Sequence, residues 1–416
     1  MVAEIITIGD ELLIGQTIDT NSAQIASALS SIGVIIHQIT SVSDDPTHIA
    51  KALDNARLHA DVIVLTGGLG PTKDDLTKKT LASYFHSNLI LNDQILSHVE
   101  SLLASRGVEM NDLNRHQALI PAKATVLHNK VGTAPGMLFH VDGKLIFSLP
   151  GVPFEMNYLL NNEVLPLIMQ QLTNVDVVHQ TVMTFGLPES SLAKRISYWE
   201  DNLPTHIKLA YLPSPTAIKL RLSAFGHDRI MLQKEIDNII AELQLIIPEN
   251  IFALSDQSLE VVVGKLLSNN NMSLSLAESC TGGNIAHMIT SVPGSSNYFT
   301  GSVVAYSNKV KAELLGVKME TLERYGAVSE QVVREMAEGC RALFQSTYAV
   351  ATSGVAGPSG GSVDKPVGLT WIAVAGPTET LSFKYSFGNS REQNILRASA
   401  RALNMLRENI LKKVSQ

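Results

Sequence analysis

The apolar positions of the chain fall into short blocks that follow two rhythms. Residues 4–9 form a brief apolar strand. Asp19-Thr20-Asn21-Ser22 then supplies cap residues for a helix carrying Ile25, Leu29 and Ile32 on one face. Gly33 stops that helix, residues 34–39 read as the next strand, and residues 48–58 return to a helical period. Residues 61–66 contain Val62-Ile63-Val64-Leu65, apolar on both faces as a central parallel strand requires. This alternation predicts a doubly wound α/β sheet.

The rhythm changes beyond about residue 174. Residues 181–185 suit a strand and 189–197 a helix. In residues 217–224, Ile218, Leu220 and Leu222 alternate with Lys219, Arg221 and Ser223, the mark of a half-buried strand. A helix over 232–245 completes a small α+β module. A polar break at 255–258 precedes a helix over 259–267 and a strand over 273–277. The expected organisation is two doubly wound α/β domains, residues 1–173 and 255–416, joined by the α+β module of residues 174–254. No internal repeat is visible.

Composition narrows the classes. Of 416 residues, 45% are apolar but only 5% aromatic, so the cores must rest on Leu, Ile, Val and Ala. Thirty-two basic against thirty-nine acidic side chains leave a net charge of −7, which argues against a general nucleic-acid binder. A local basic pocket for a small phosphorylated ligand stays compatible with it. Cys280 and Cys340 have neither disulfide-framework nor metal-ligand spacing. The N-terminus lacks the basic start and apolar run of a signal peptide, and no apolar stretch reaches the roughly 18 residues of a membrane helix. A cytoplasmic protein without a membrane partner is expected.

Two regions carry candidate chemistry. Thr66-Gly67-Gly68-Leu69-Gly70-Pro71-Thr72-Lys73-Asp74-Asp75 lies between a buried strand and a helix. Its glycines let backbone N–H groups face an anion, and a helix N-terminus beyond adds favourable charge. The same residues also read as a turn closed by a Thr72–Asp75 capping box. Acidic groups at comparable strand ends, Asp10 and Glu11 early on and Glu155 after residues 145–149, suit a hard cation such as Mg²⁺ beside a phosphate.

The second region is Ala277-Glu278-Ser279-Cys280-Thr281-Gly282-Gly283 at a strand-to-helix turn. The turn can expose the Ser279 hydroxyl above the sheet as a nucleophile, with helix N–H groups for an oxyanion. Equally, Ser279 or Thr281 can cap the helix. Cys280, on the same tight turn and without a pairing His, is assigned to packing. Tyr306 and Lys309 follow the strand over 301–306, and a desolvated Lys309 can act as base, against a solvated reading that Lys311 shares. Ser353-Gly354 and Ala356-Gly357-Pro358 end another strand, and Lys365 and Arg391 offer cations for a 5′-phosphate.

Gly9-Asp10-Glu11-Leu12-Leu13, the Thr66–Asp75 loop, Val131-Gly132-Thr133-Ala134-Pro135-Gly136 and Leu149-Pro150-Gly151-Val152-Pro153 together resemble the CinA family and the molybdopterin-binding MoaB and MogA domains. That resemblance implies a divalent-metal-dependent ADP-ribose pyrophosphatase using Mg²⁺, Mn²⁺ or Co²⁺. Asp74, Asp75, Glu155 and Asp10 would serve the metal or its water, and Gly67, Gly68, Gly70 and Thr72 the phosphate. A pterin-like ligand stays open. The middle module resembles the family's KH-like segment, yet no GxxG stands between residues 181 and 224, so a spacer or dimer contact is preferred to RNA binding.

Residues 259–410 resemble the PncC-type C-terminal domain of that family. The resemblance rests on Glu278–Gly283, Pro293-Gly294-Ser295-Ser296, Tyr306-Ser307-Asn308-Lys309, Gly326-Ala327-Val328-Ser329-Glu330, Ser353–Pro358 and Lys365–Gly368. It implies hydrolysis of nicotinamide mononucleotide to nicotinate mononucleotide and ammonia, in pyridine nucleotide recycling, without a cofactor. Ser279 would be the nucleophile, Lys309 the base, Tyr306 its partner, and Ser353 a hydroxyl where the family often has Thr. Glu278, Thr281, Gly282, Gly283, Gly354, Gly357, Lys365 and Arg391 would line the substrate. A homodimer is the expected assembly. The alternatives are a non-enzymatic adaptor associated with competence and DNA damage, and a pterin-binding protein.

Overall fold

A computed structural model describes residues 1–72, 74–105, 107–172 and 176–414, so the expected boundary between residues 173 and 174 lies outside the described residues. The chain divides into two compact units, residues 1–179 with 224–233, and residues 180–223 with 234–416. Among the described residues no helix is long and apolar enough to cross a membrane.

The first unit is built on β1 (Val2–Ile8), β2 (Ile35–Val42), β3 (Val62–Thr66), the ribbon β4 (Leu89–Leu91) with β5 (Leu119–Pro121), β6 (Thr125–Leu127), β7 (Gly136–Val141) and β8 (Lys144–Leu149). The main sheet runs β2-β1-β3-β8-β7-β6. Its first four strands are parallel, and β7 and β6 are antiparallel additions. Side chains alternate across the sheet, so both faces of β1 are apolar. Ala3 and Ile5 join Ile25 and Leu29 of the helix Asn21–Ser31, while Ile6 and Ile8 join Ile49 and Leu53 of the helix Pro46–His59. Covered on both sides, the sheet leaves only its strand ends for a ligand.

The α+β module carries β9 (Asp176–Thr184), β10 (Ile207–Pro213), β11 (Ile218–Gly226) and β12 (Ile251–Ala253), in the order β10-β11-β9-β12. Its helices are Glu189–Asp201 and Arg229–Ile246.

The C-terminal region adds β13 (Leu274–Glu278), β14 (Phe299–Val304), β15 (Tyr348–Gly354), β16 (Leu369–Ala375) and β17 (Thr380–Ser386), in the order β14-β13-β15-β16-β17. β13, β14 and β15 are parallel, and β16 and β17 antiparallel. One face carries Leu274, Leu276, Val350 and Val374 against Leu403 and Leu406 of the long helix Arg391–Val414. The other face is small: Ala277, Ala349, Ala351, Ala373 and Ala375 admit Val333, Met336 and Cys340 of the helix Glu330–Phe344. These short side chains let that helix lie close, and a third layer packs on it.

Gly339 on that helix sets the third layer. A Cβ there would lie 1.7 Å from the Leu315 carbonyl oxygen at the end of the helix Asn308–Leu315. Since backbone cannot yield as a flexible side chain does, Gly339→Ala must push the two helices apart. The expected cost is about 1–3 kcal/mol, read as a lowered urea midpoint at unchanged m-value.

Candidate active sites

At the carboxyl end of the C-terminal sheet, β13 finishes on Glu278 and the chain turns through left-handed Gly282 and Gly283 into the helix Asn284–Thr290. Strand alternation sends the Glu278 side chain beneath this helix, where it is fully buried. Its carboxylate accepts the N–H groups of Gly283 (3.0 Å), Ile285 (3.1 Å) and Ala286 (2.8 Å). Glu278 therefore caps the helix from the strand below, instead of lining a substrate as expected. Those three donors are consumed, so they are not the oxyanion donors anticipated from the turn. The Thr281 side chain is also buried, its Oγ1 2.7 Å from Thr352 Oγ1. It ties the turn to β15 and does not contact the cleft.

Ser279 escapes this capping. Its N–H is held by the Thr352 carbonyl at 3.0 Å, and its half-buried hydroxyl lies 3.1 Å from Lys311 Nζ. Lys311 is only 1% exposed. Its amine also donates to the Ala305 carbonyl at 2.6 Å, with the Tyr306 carbonyl at 3.5 Å. Burial pushes this lysine below the ordinary lysine range. Two carbonyls can hold the two hydrogens of a neutral amine, which leaves its lone pair for Ser279.

Lys309, expected to be that base, points to solvent. Its side chain is 77% exposed and its Nζ lies 3.9 Å from Glu313 Oε1, one turn along. Ser307 caps the helix, accepting the Val310 N–H at 3.3 Å, and this fixes the helical phase. Residues two apart on a helix lie about 200° apart, so Lys309 and Lys311 cannot both face the serine. Lys311 is buried together with Leu315, four residues later on the same face of the helix. Against the expectation of a solvated side chain, Lys311 is buried.

The Tyr306 phenol, 65% exposed, meets Arg391 at 3.4 Å and not Lys309. Arg391 also donates to the Gly357 carbonyl at 2.9 Å, so Tyr306, Gly357 and Arg391 form one polar rim. Ser353 is fully buried and donates to the Ala327 carbonyl at 2.7 Å, because its strand position faces the alanine side of the sheet. Gly354 packs where a Cβ would lie 2.5 Å from the Leu369 carbonyl oxygen, and Lys365 Nζ donates to the Tyr325 carbonyl at 2.7 Å. Cys280 is buried and its thiol is pushed up to about 11, chiefly by desolvation, which leaves it protonated near neutrality.

In the first unit a cavity of about 340 Å³ opens at the carboxyl ends of β1, β3 and β8, with Gly67, Gly68, Gly70, Asp74, Asp75 and Glu155 in its wall. Gly67, at φ +116°, is held so near β1 that a Cβ would lie 2.1 Å from the Ile8 carbonyl oxygen. Lys73 lies outside the described residues. Thr72 is hydrogen-bonded through both its N–H and its hydroxyl to Asp75, but the helix starts only at Thr77, so this pair closes the loop without capping the helix.

Glu11 and Asp44 also line the cavity, and Asp44 is an acid the sequence reading missed. Its Oδ2 accepts the Asp10 N–H at 3.0 Å, while Asp10 Oδ1 accepts the Asp44 N–H at 3.4 Å. Asp10 is thereby a brace for Asp44. Burial, and then the charges of Asp10, Glu11 and Asp75, raise the Asp44 carboxyl above the usual range. Several carboxylate oxygens converging on one cavity are the donor set of a hard divalent cation, so the residues fit such an ion. The buried Gln117 Oε1 in the same wall has no hydrogen-bond partner among the described residues and is a polar handle for a ligand. Lys78 donates to the carbonyls of His116 (3.1 Å) and Gln117 (3.0 Å), and burial lowers it to about 8.

Family models match three segments: a probable molybdopterin binding domain over residues 4–170, a damage-inducible protein CinA KH domain over 179–253, and a CinA C-terminal domain over 256–410. A CinA-like protein from Flavobacterium psychrophilum is 48% identical over 418 residues, covering 100% of both chains. One from Cytophaga hutchinsonii is 44% identical over 408 residues, 98% of each. The solved structure of the competence/damage inducible protein CihA from Agrobacterium tumefaciens is 36% identical, covering 38% of this chain and 98% of its own, with a TM-score of 0.35. With full-length relatives at this identity and all three segments present in order, the chain belongs to the CinA family.

Proposed function

We propose that the C-terminal region hydrolyses the carboxamide of nicotinamide mononucleotide, with Ser279 as nucleophile and Lys311 as its base. The observation that carries this reading is the buried Lys311 amine 3.1 Å from the serine hydroxyl. A neutral amine takes the Oγ proton as Oγ attacks the carboxamide carbon. The tetrahedral adduct then expels ammonia, which leaves with the proton held by Lys311. Water, deprotonated by the restored amine, cleaves the acyl-serine ester and releases nicotinate mononucleotide. Arg391 and Tyr306 on the rim are the groups offered to the 5′-phosphate. Lys309 has no part in the chemistry and at most adds positive charge near the mouth. In this reading the protein recycles pyridine nucleotide in the cytoplasm.

We propose for the first unit a divalent-metal-dependent hydrolysis of ADP-ribose. Glu11, Asp44, Asp74, Asp75 and Glu155 would hold the ion, which supplies charge neutralisation and water activation when bound. The glycine backbone would face the pyrophosphate, and Gln117 Oε1 would accept from a ligand N–H or O–H. A pterin in this cavity is the second reading.

Ammonia release from nicotinamide mononucleotide tests the first proposal. Ser279→Ala and Lys311→Ala should each lose about 10³-fold or more in kcat, while Lys309→Ala keeps nearly the full rate. Because the base acts when neutral, the rate should climb with pH through an inflection below the ordinary lysine range. Full activity in Lys311→Ala would refute the mechanism, and no ammonia from the wild type would leave the adaptor reading in its place.

ADP-ribose hydrolysis with Mg²⁺, Mn²⁺ or Co²⁺ tests the second. Asp44→Asn should weaken the metal-dependent rate by about 10–100-fold without touching ammonia release. Pterin binding in the absence of any ADP-ribose cleavage would favour the other ligand.

A further inference from the structure

We propose that Glu4, His37 and His59 form a binding site for a borderline divalent transition ion such as Zn²⁺, separate from the acidic cavity of the same unit. Glu4 stands near the start of β1, whereas that cavity begins at Ile8, four residues or about 13 Å further along the strand. The two places differ in donor chemistry as well as position.

Glu4 is only 4% exposed, in a strand otherwise lined with apolar side chains. Its carboxylate shares the sheet face of Ile6 and Ile8, where an aliphatic residue would suffice for packing. A carboxylate at such a depth is costly without a cationic partner. Both partners within reach are imidazoles. His37 Nδ1 lies 2.8 Å from Glu4 Oε1 and His59 Nδ1 3.8 Å from the same oxygen. The three ligand atoms all lie within 4.8 Å of one another. A tetrahedral zinc shell with bonds of about 2.1 Å needs donors about 3.4 Å apart. Small movements of two partly exposed rings would close that gap.

The backbone is also shaped for this cluster. β1 and β2 pair in parallel register, Ala3 with Ile36, but Glu4 pairs with Gln38. His37 is thus the extra residue of a bulge, uncommon between parallel strands and a device that re-aims a side chain. His59 arrives independently, as the last residue of the helix Pro46–His59, and its ring stacks on His37 with centroids 5.1 Å apart at 21°. The 2.8 Å contact between His37 Nδ1 and Glu4 Oε1 is a hydrogen bond, and a metal ion would take its place. Two imidazoles and one carboxylate select zinc, cobalt or nickel over magnesium, whereas the all-oxygen acidic cavity selects the harder ions. Because the ligands come from β1, β2 and the helix leading to β3, the ion would bind only the folded sheet and stabilise it.

Titration of the full chain with Co²⁺, in excess Mg²⁺ to occupy the acidic cavity, reads the site directly. The expected result is about one equivalent of Co²⁺ with the intense visible bands of a four-coordinate ion, displaced by Zn²⁺. Glu4→Gln, His37→Gln and His59→Gln should each weaken affinity about tenfold or more, while Asp44→Asn leaves it unchanged. Zn²⁺ should raise the thermal midpoint of the wild type and not of His59→Gln, a substitution at a side chain that is 54% exposed. Absence of the bands would overturn the proposal. So would bands that survive His37→Gln and His59→Gln, or that vanish in Asp44→Asn.

Discussion

One amine removed from water organises the C-terminal region. Lys311 is held under the end of β14 by the carbonyls of Ala305 and Tyr306, and its burial, not those carbonyls, disfavours the charged form. A lysine in water would be protonated at neutral pH and useless as a base. The arrangement needs a dry floor, which the alanine face of the sheet and the helix Glu330–Phe344 provide by packing closely. It also needs the helix Asn308–Leu315 to be fixed in rotation and height. Its cap at Ser307 does the first, and the contact of Leu315 with Gly339 the second. The chemistry of Ser279 is thus a consequence of how three layers pack.

A second constraint is the disposal of the helix N-terminus after β13. An exposed set of N–H groups there would compete for the serine or attract solvent anions. Glu278 satisfies three of them from beneath, with a charge suited to the helix dipole. Ser279 is therefore free of capping duty, and its hydroxyl belongs to the cleft. Adjacent residues on one strand end divide the labour by strand alternation alone: Glu278 supports the helix and Ser279 meets the amine.

The first unit solves the reverse problem. It concentrates carboxylates at a sheet edge, and burial first, then the neighbouring charges, raise the Asp44 carboxyl above the usual range. Asp10 and Asp44 each accept the other's backbone N–H across the ends of β1 and β2, so the two acids are held close to one another. Negative charge confined in this way is what a hard cation lowers in energy. The same sheet carries Glu4 and His37 near its other end, where a bulge and the end of the helix Pro46–His59 bring softer donors together.

Much of this was legible in the residues. Periodicity placed the strands over 62–66 and 274–278 and the helices over 21–31 and 259–269 nearly to their ends, by an unbroken apolar run in the first strand and by apolar residues recurring on one face of each helix. Glycine-rich turns at strand ends marked both candidate sites, and the order of motifs carried the family. What no local pattern could decide was which of two lysines, Lys309 or Lys311, loses its water. That depends on helical phase and on a neighbouring layer contributed by residues 330–344. For the same reason Ser353, Thr281 and Glu278 looked like pocket residues when read along the chain. Only tertiary packing turns one side chain of a strand end into the core and the next into the cleft.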